Sequence, residues 1–171
     1  MVEFDPKLDP RSTKQLPPNV VRAMKEAWVA SEKDGKEHGF RLCFTRDNKV
    51  VPGKEYRGRP GEVYVPMAAG CPAHTEVVGA FHTHPGGVAY LAPQDAAESC
   101  EAGDLACIAG RNGIKCWFRR DFGEDTAPPA SECNEALKTA WNRVWDKVER
   151  LASEDARMLA AIDRFFQTEE L

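Results

Sequence analysis

Two histidines, His82 and His84, stand two residues apart in the apolar run EVVGAFHTHP. On a strand, side chains at i and i+2 leave the same face, so both imidazoles point one way and Thr83 the other. Asp95 follows in the first turn of an expected helix. Two imidazoles and a carboxylate suit Zn²⁺, and three protein ligands leave a fourth position for water, as catalytic zinc sites do. A water held there becomes acidic near neutral pH and can act as a nucleophile. Hydrolysis also needs a base to take its proton and an acid to pass it to the leaving group. Glu37, at the head of the first expected strand, is the candidate. A glutamate in such a place is more often simply solvated, and HTH before Pro85 can also be a surface turn. Against the second reading, two of only four histidines fall in that one tripeptide.

The elements that must position these groups follow from periodicity. Val20, Met24, Ala27 and Ser31 repeat at helical spacing, so residues 19–33 are expected to form an amphipathic helix, capped by Asn19 and ended by Asp34-Gly35. Phe40, Leu42 and Phe44 alternate as on a strand, and Asp47-Asn48 marks a turn. Residues 53–61 read as a basic loop, Val63 and Val65 as a short strand, and Val77 to His84 as a strand stopped by Pro85. A helix is expected from Pro93 to about Gly103. LACIAG and IKCWFRR flank Asn112-Gly113, a hairpin signal. Leu137, Trp141, Val144, Trp145, Val148 and Leu151 share a helical face. Leu159, Ile162, Phe165 and Phe166 make a second helical stretch, and Ser153 either restarts a helix or lies within a long one.

The chain has 171 residues, which fits one domain. Its formal net charge of −4 argues against a protein that grips phosphate backbones, so no nucleic-acid partner is expected. No run of 18 apolar residues is present, so no membrane partner is expected either. The polar, proline-broken start, MVEFDPKLDPRSTKQ, lacks the apolar stretch of a secretory signal. Six cysteines are scattered without a CxxC pair, which reads as reduced thiols, several of them buried, in a cytoplasmic protein.

GAFHTHP, then LAPQD, with KEHGF upstream, resembles the JAMM (MPN-plus, or JAB) zinc metalloproteases, whose signature is a Glu, His-x-His-Pro and Ser-x-x-Asp. The resemblance covers roughly residues 20–120. It implies an α/β fold, a JAMM/MPN-like (cytidine-deaminase-like) mixed β-sheet flanked by helices. The expected organisation is an N-terminal arm over 1–18, a catalytic domain over 19–125 and a helical segment over 126–171 packed on the same domain. It implies that His82, His84 and Asp95 hold Zn²⁺ and that Glu37 is the catalytic acid–base, in preference to Glu32 in a helix and Glu55 in a loop. It also implies a zinc-dependent isopeptidase, a deubiquitinase-like enzyme whose partner is a ubiquitin-like protein or its conjugates. A short free-standing domain of this kind resembles the proteases of bacterial ubiquitin-like conjugation operons, including anti-phage systems.

One departure concerns the serine of Ser-x-x-Asp, an oxyanion donor in the family, whose position Ala92 occupies here. Losing one such donor typically costs on the order of 10²–10³ in rate. Another donor can substitute, the protein can be slow or binding-only, or the residue can have been changed deliberately. Ser99 lies a turn away in the wrong direction. In the family, the region matching Lys54, Arg57 and Arg59 can contact the substrate tail. Gly86, Gly87, Val88 and Tyr90, between the ligands, could border a groove for an extended substrate strand. His38 should face away from Glu37 and be structural, and His74 should be exposed. Trp141 is expected to pack its helix on the domain, with a partner or dimer surface as the sharper alternative. The competing functions are a JAMM peptidase acting on another small peptide and a module that binds a ubiquitin-like protein without cutting it. A zinc deaminase is excluded by the missing His-x-Glu and Pro-Cys-x-x-Cys signature.

Overall fold

A computed structural model describes residues 16–58, 70–91, 95, 99–100, 104–119, 129–144 and 155–171. Its first helix, α1 (Pro18–Asp34), buries Val20, Met24, Ala27 and Ser31, the four positions that repeat at helical spacing. The helix starts one residue before the expected cap. Pro17 is the N-cap and Pro18 the first helical residue, where a missing N–H costs nothing. Gly35 ends it in the left-handed conformation (φ 69°), its N–H donating to the Ser31 carbonyl.

Seven strands then build one sheet: β1 (His38–Phe44), β2 (Val50–Pro52), β3 (Tyr56–Arg57), β4 (Glu76–Thr83), β5 (Leu105–Gly110), β6 (Gly113–Arg119) and β7 (Phe166–Glu170). Their order is β2-β1-β4-β5-β6-β7, with β3 also paired to β1. Among the described strands only β4 and β5 run parallel. The Asn-Gly signal holds: β5 and β6 form a hairpin in which Gly110 pairs with Gly113.

α1 covers one face, packing on Phe40, Leu42, Phe44 and Phe81. Two further helices, α2 (Ala130–Val144) and α3 (Ala156–Phe165), contribute to a second core with Ala106, Ile108, Trp117 and Phe166. With both faces covered, β1 is buried at all seven positions, so its alternation is not one between core and solvent. α3 opens on Asp155, whose side chain accepts from the N–H groups of Arg157 and Met158. The expected mixed α/β architecture is thus present, with two corrections. The stretch read as helical through Phe166 ends at Phe165, and the chain continues as β7, a strand of the same sheet. Phe165 and Phe166 are both fully buried, so apolar content alone could not mark where helix becomes strand. The 53–61 loop likewise contains β3. The strand expected at Val63 and Val65, and Trp145, Val148, Leu151 and Ser153, lie outside the described residues.

The cysteines overturn the reduced-thiol expectation. All six are joined, as Cys43–Cys71, Cys100–Cys133 and Cys107–Cys116. Cys107 and Cys116 face each other across β5 and β6. Cys100–Cys133 ties the segment between β4 and β5 to α2. Pairings made by sheet register and helix packing leave no CxxC signature in the sequence.

Candidate active site

Sheet register sets the strand-borne groups on one face. Gly39 of β1 pairs with His82 of β4, and antiparallel partners share a face. Carried past the strand ends, the same register sets His38 beside Thr83 and Glu37 beside His84. His38 N–H does donate to Thr83 Oγ1, at 2.9 Å. Glu37, His82 and His84 therefore fall on one face, and Thr83 on the face that meets α1. Glu37 is buried.

The two imidazoles converge, with His82 Nε2 and His84 Nε2 3.0 Å apart. Two nitrogens bound to one tetrahedral zinc at 2.0–2.1 Å lie about 3.3 Å apart, close to this separation, which is also that of a hydrogen bond between the rings. His84 Nδ1 is 2.8 Å from the Val88 carbonyl, to which it donates, leaving Nε2 as the lone-pair nitrogen. Asp95 is a helical residue whose Oδ1 lies 3.8 Å from His82 Nδ1. It is brought alongside the pair rather than to the point where the two Nε2 atoms meet. Among the described residues no trio of His, Cys, Asp or Glu side chains already converges on one point. Ala80, His82, Asp95, Ser99 and Asp104 bound a cavity of about 20 Å³, space for a single water. Ser99 thus lies nearer the site than its place in the helix suggested, and Asp104 was not singled out in the sequence at all.

No family model matches this chain, and no curated protein matches it. The site is therefore read from its own geometry.

That geometry separates the three glutamates. Glu32 Oε1 accepts the Gly86 N–H at 3.2 Å. Glu55 Oε1 lies 2.7 Å from His38 Nδ1, while Asp34 Oδ2 lies 2.8 Å from its Nε2. His38, fully buried, is thus a structural tie between α1, β1 and the segment before β3, as expected. The Asp34 carboxyl is held below its ordinary pKa, chiefly by the Lys36 N–H and then by its bond to His38. Glu37, two residues before Gly39, is the one whose strand position falls on the face of His82.

Behind the site runs a buried polar chain. Thr83 Oγ1 and Ser31 Oγ are 2.7 Å apart, and Ser31 Oγ donates to the Lys36 carbonyl at 2.5 Å. It links α1, the backbone next to Glu37 and the residue between the two histidines. Thr83→Val keeps the shape and removes the hydroxyl that serves His38 N–H. It should cost about 1–3 kcal/mol in urea unfolding, and an unchanged midpoint would show that the chain is idle.

The loop after His84 is held as firmly. His84 N–H donates to Ala109 O, Gly87 N–H to His84 O, and Arg111 N–H to Gly87 O. The Asn112 side chain grips Ala89 at both its N–H (2.6 Å) and its carbonyl (3.3 Å). Of the substrate candidates, Gly86, Gly87 and Tyr90 lie in this loop, and Arg57 is an exposed residue of β3. Arg59 and Ala92 fall outside the described residues. Because the backbone from Gly86 to Ala89 is engaged this way, an incoming strand meets little here to pair with. Tyr90 instead presents its ring, 4.7 Å from that of His84 and stacked at 5.3 Å and 17° on Trp141 of α2. The expected packing role of Trp141 holds, and its ring backs the histidine pair through Tyr90.

Proposed function

We propose that this chain is a zinc-dependent peptidase of the isopeptidase type. Its substrate would be the amide bond that follows the C-terminal tail of a ubiquitin-like modifier. The observation that carries the reading is the approach of His82 Nε2 to His84 Nε2, with Asp95 alongside and Glu37 placed next to His84 by register. Two imidazoles this close, one of them oriented by a backbone carbonyl, are an arrangement that a divalent metal uses.

His82, His84 and Asp95 would hold the ion. Bound there, zinc would supply Lewis-acid polarisation of a carbonyl and acidify water. Glu37 takes the proton from the attacking water and returns it to the departing amine. The Val88 carbonyl orients His84, and the Thr83–Ser31 chain fixes the backbone beside Glu37. With the position of the family serine held by Ala92, one oxyanion donor is missing, which predicts a slow enzyme. That substitution also favours a second reading, a module that binds a ubiquitin-like protein without cutting it.

No described helix is long and apolar enough to cross a membrane. A cytoplasmic location belongs to the same proposal, and the three disulfides weigh against it, since such bonds persist mainly in oxidising compartments.

Metal analysis tests the reading. The purified chain should contain one zinc, and His82→Ala should contain none while staying folded. Failure to bind zinc, even from added metal, would overturn the metalloprotease. If zinc is bound, cleavage of ubiquitin-like fusions by the native chain and faster cleavage by Ala92→Ser separate the enzyme from the binding module.

A further inference from the structure

A cavity of about 400 Å³ opens beside the candidate site, between β6, α2 and α3. Tyr90, Trp117 and Trp141 line it with aromatic rings, and Met158 and Ile162 add aliphatic wall. Leu159, 48% exposed, also lines it. Interiors packed to ordinary density hold few voids larger than a water, so a space of this size is a pocket rather than a packing flaw. Its wall is shared with the site, because the Tyr90 ring that lines it also contacts His84.

We infer that this cavity receives a large apolar side chain, aromatic by preference, of the peptide substrate. The inference rests on the peptidase reading and names what that peptidase recognises. Two observations single out this occupant. First, the backbone from Gly86 to Ala89 is engaged with Glu32, His84, Arg111 and Asn112, so recognition next to the histidines falls to a side chain rather than to strand pairing. Second, the ring-to-ring steps from His84 to Tyr90 and on to Trp141 are 4.7 and 5.3 Å. At 3.3–3.6 Å per extended residue, about three residues of substrate cover that reach. The side chain therefore belongs to a residue no more than about three positions from the scissile bond. Lys115 and Asp163, which also line the cavity, supply polar groups for the substrate backbone.

The pocket is tested directly with N-acetyl-phenylalanine amide, followed by tryptophan fluorescence, because binding needs neither zinc nor turnover. Saturable binding is expected, at least about tenfold tighter than for N-acetyl-glycine amide. Thr168→Phe, at an exposed β7 position lining the cavity, fills the space with a residue that strands accept, and should abolish binding. Quenched peptides carrying Phe rather than Gly three residues to one side of the bond should be cleaved about tenfold faster by the native chain and not by Thr168→Phe. Equal affinity for the two amides, or binding that survives Thr168→Phe, overturns the pocket. Zinc content, measured on the same samples, separately decides the reading of the metal site.

Discussion

Glu37→Gln should lower the rate of amide cleavage by about 10²–10⁴-fold, the usual worth of a positioned acid–base, while the zinc content stays unchanged. The amide keeps the size and hydrogen-bonding reach of the carboxylate but cannot carry a proton between water and leaving amine. Glu37 is buried just before β1, two residues ahead of the Gly39 that pairs with His82, so the substitution changes chemistry more than shape. Glu32→Gln and Glu55→Gln are the controls. Those residues serve the Gly86 N–H and His38, and neither lies in register with the histidines. A rate unchanged in Glu37→Gln, or a loss equalled by Glu55→Gln, would remove Glu37 from the mechanism.

Reduction of the disulfides should weaken the fold by a comparably large amount. The bridges close loops with sequence separations of 28, 33 and 9 residues. Chain-entropy reasoning assigns about 3–4 kcal/mol to each of the longer two and about 2.5 kcal/mol to the shortest. The Cys100–Cys133 bridge matters most for the site, because it fastens the segment that carries Asp95 to the helix that carries Trp141. Denaturant unfolding with and without a phosphine reductant measures the difference. Alkylation of the unfolded protein immediately after cell lysis counts its thiols. No reactive thiol and a marked fall in midpoint on reduction are expected. Six reactive thiols and an unmoved midpoint would restore the reduced, cytoplasmic reading.

Much of this arrangement was legible in the residues, and what was not has physical causes. α1 could be read because one apolar stripe on an otherwise polar helix has an unambiguous period. The β5–β6 hairpin could be read because Gly113 supplies the positive φ, 104°, that its turn requires. β7 could not, since Phe165 and Phe166 continue the apolar pattern of α3 while the backbone changes state. The disulfides could not, because sheet register sets which cysteines meet. At the site, the same-face placement of His82 and His84 follows from spacing alone. The loop clamp of Asn112 and the presence of Asp104 depend on long-range packing and left no local mark. The resemblance singled out Glu37 among three glutamates, and the structure gives the other two different partners.

The parallel pairing of β4 with β5 has a consequence for how such a centre can arise. Had β5 run antiparallel to β4, a two-residue turn would have sufficed, and nothing would have passed over the end of β4. Parallel pairing obliges the chain to leave β4 at the histidines and to start β5 at Leu105, beside Gly79 nearer the other end of β4. The carboxylate at Asp95 is carried by that obligatory detour. The third candidate ligand is thus a product of connectivity, available to any sequence that adopts this strand order and places an acid midway along the connection.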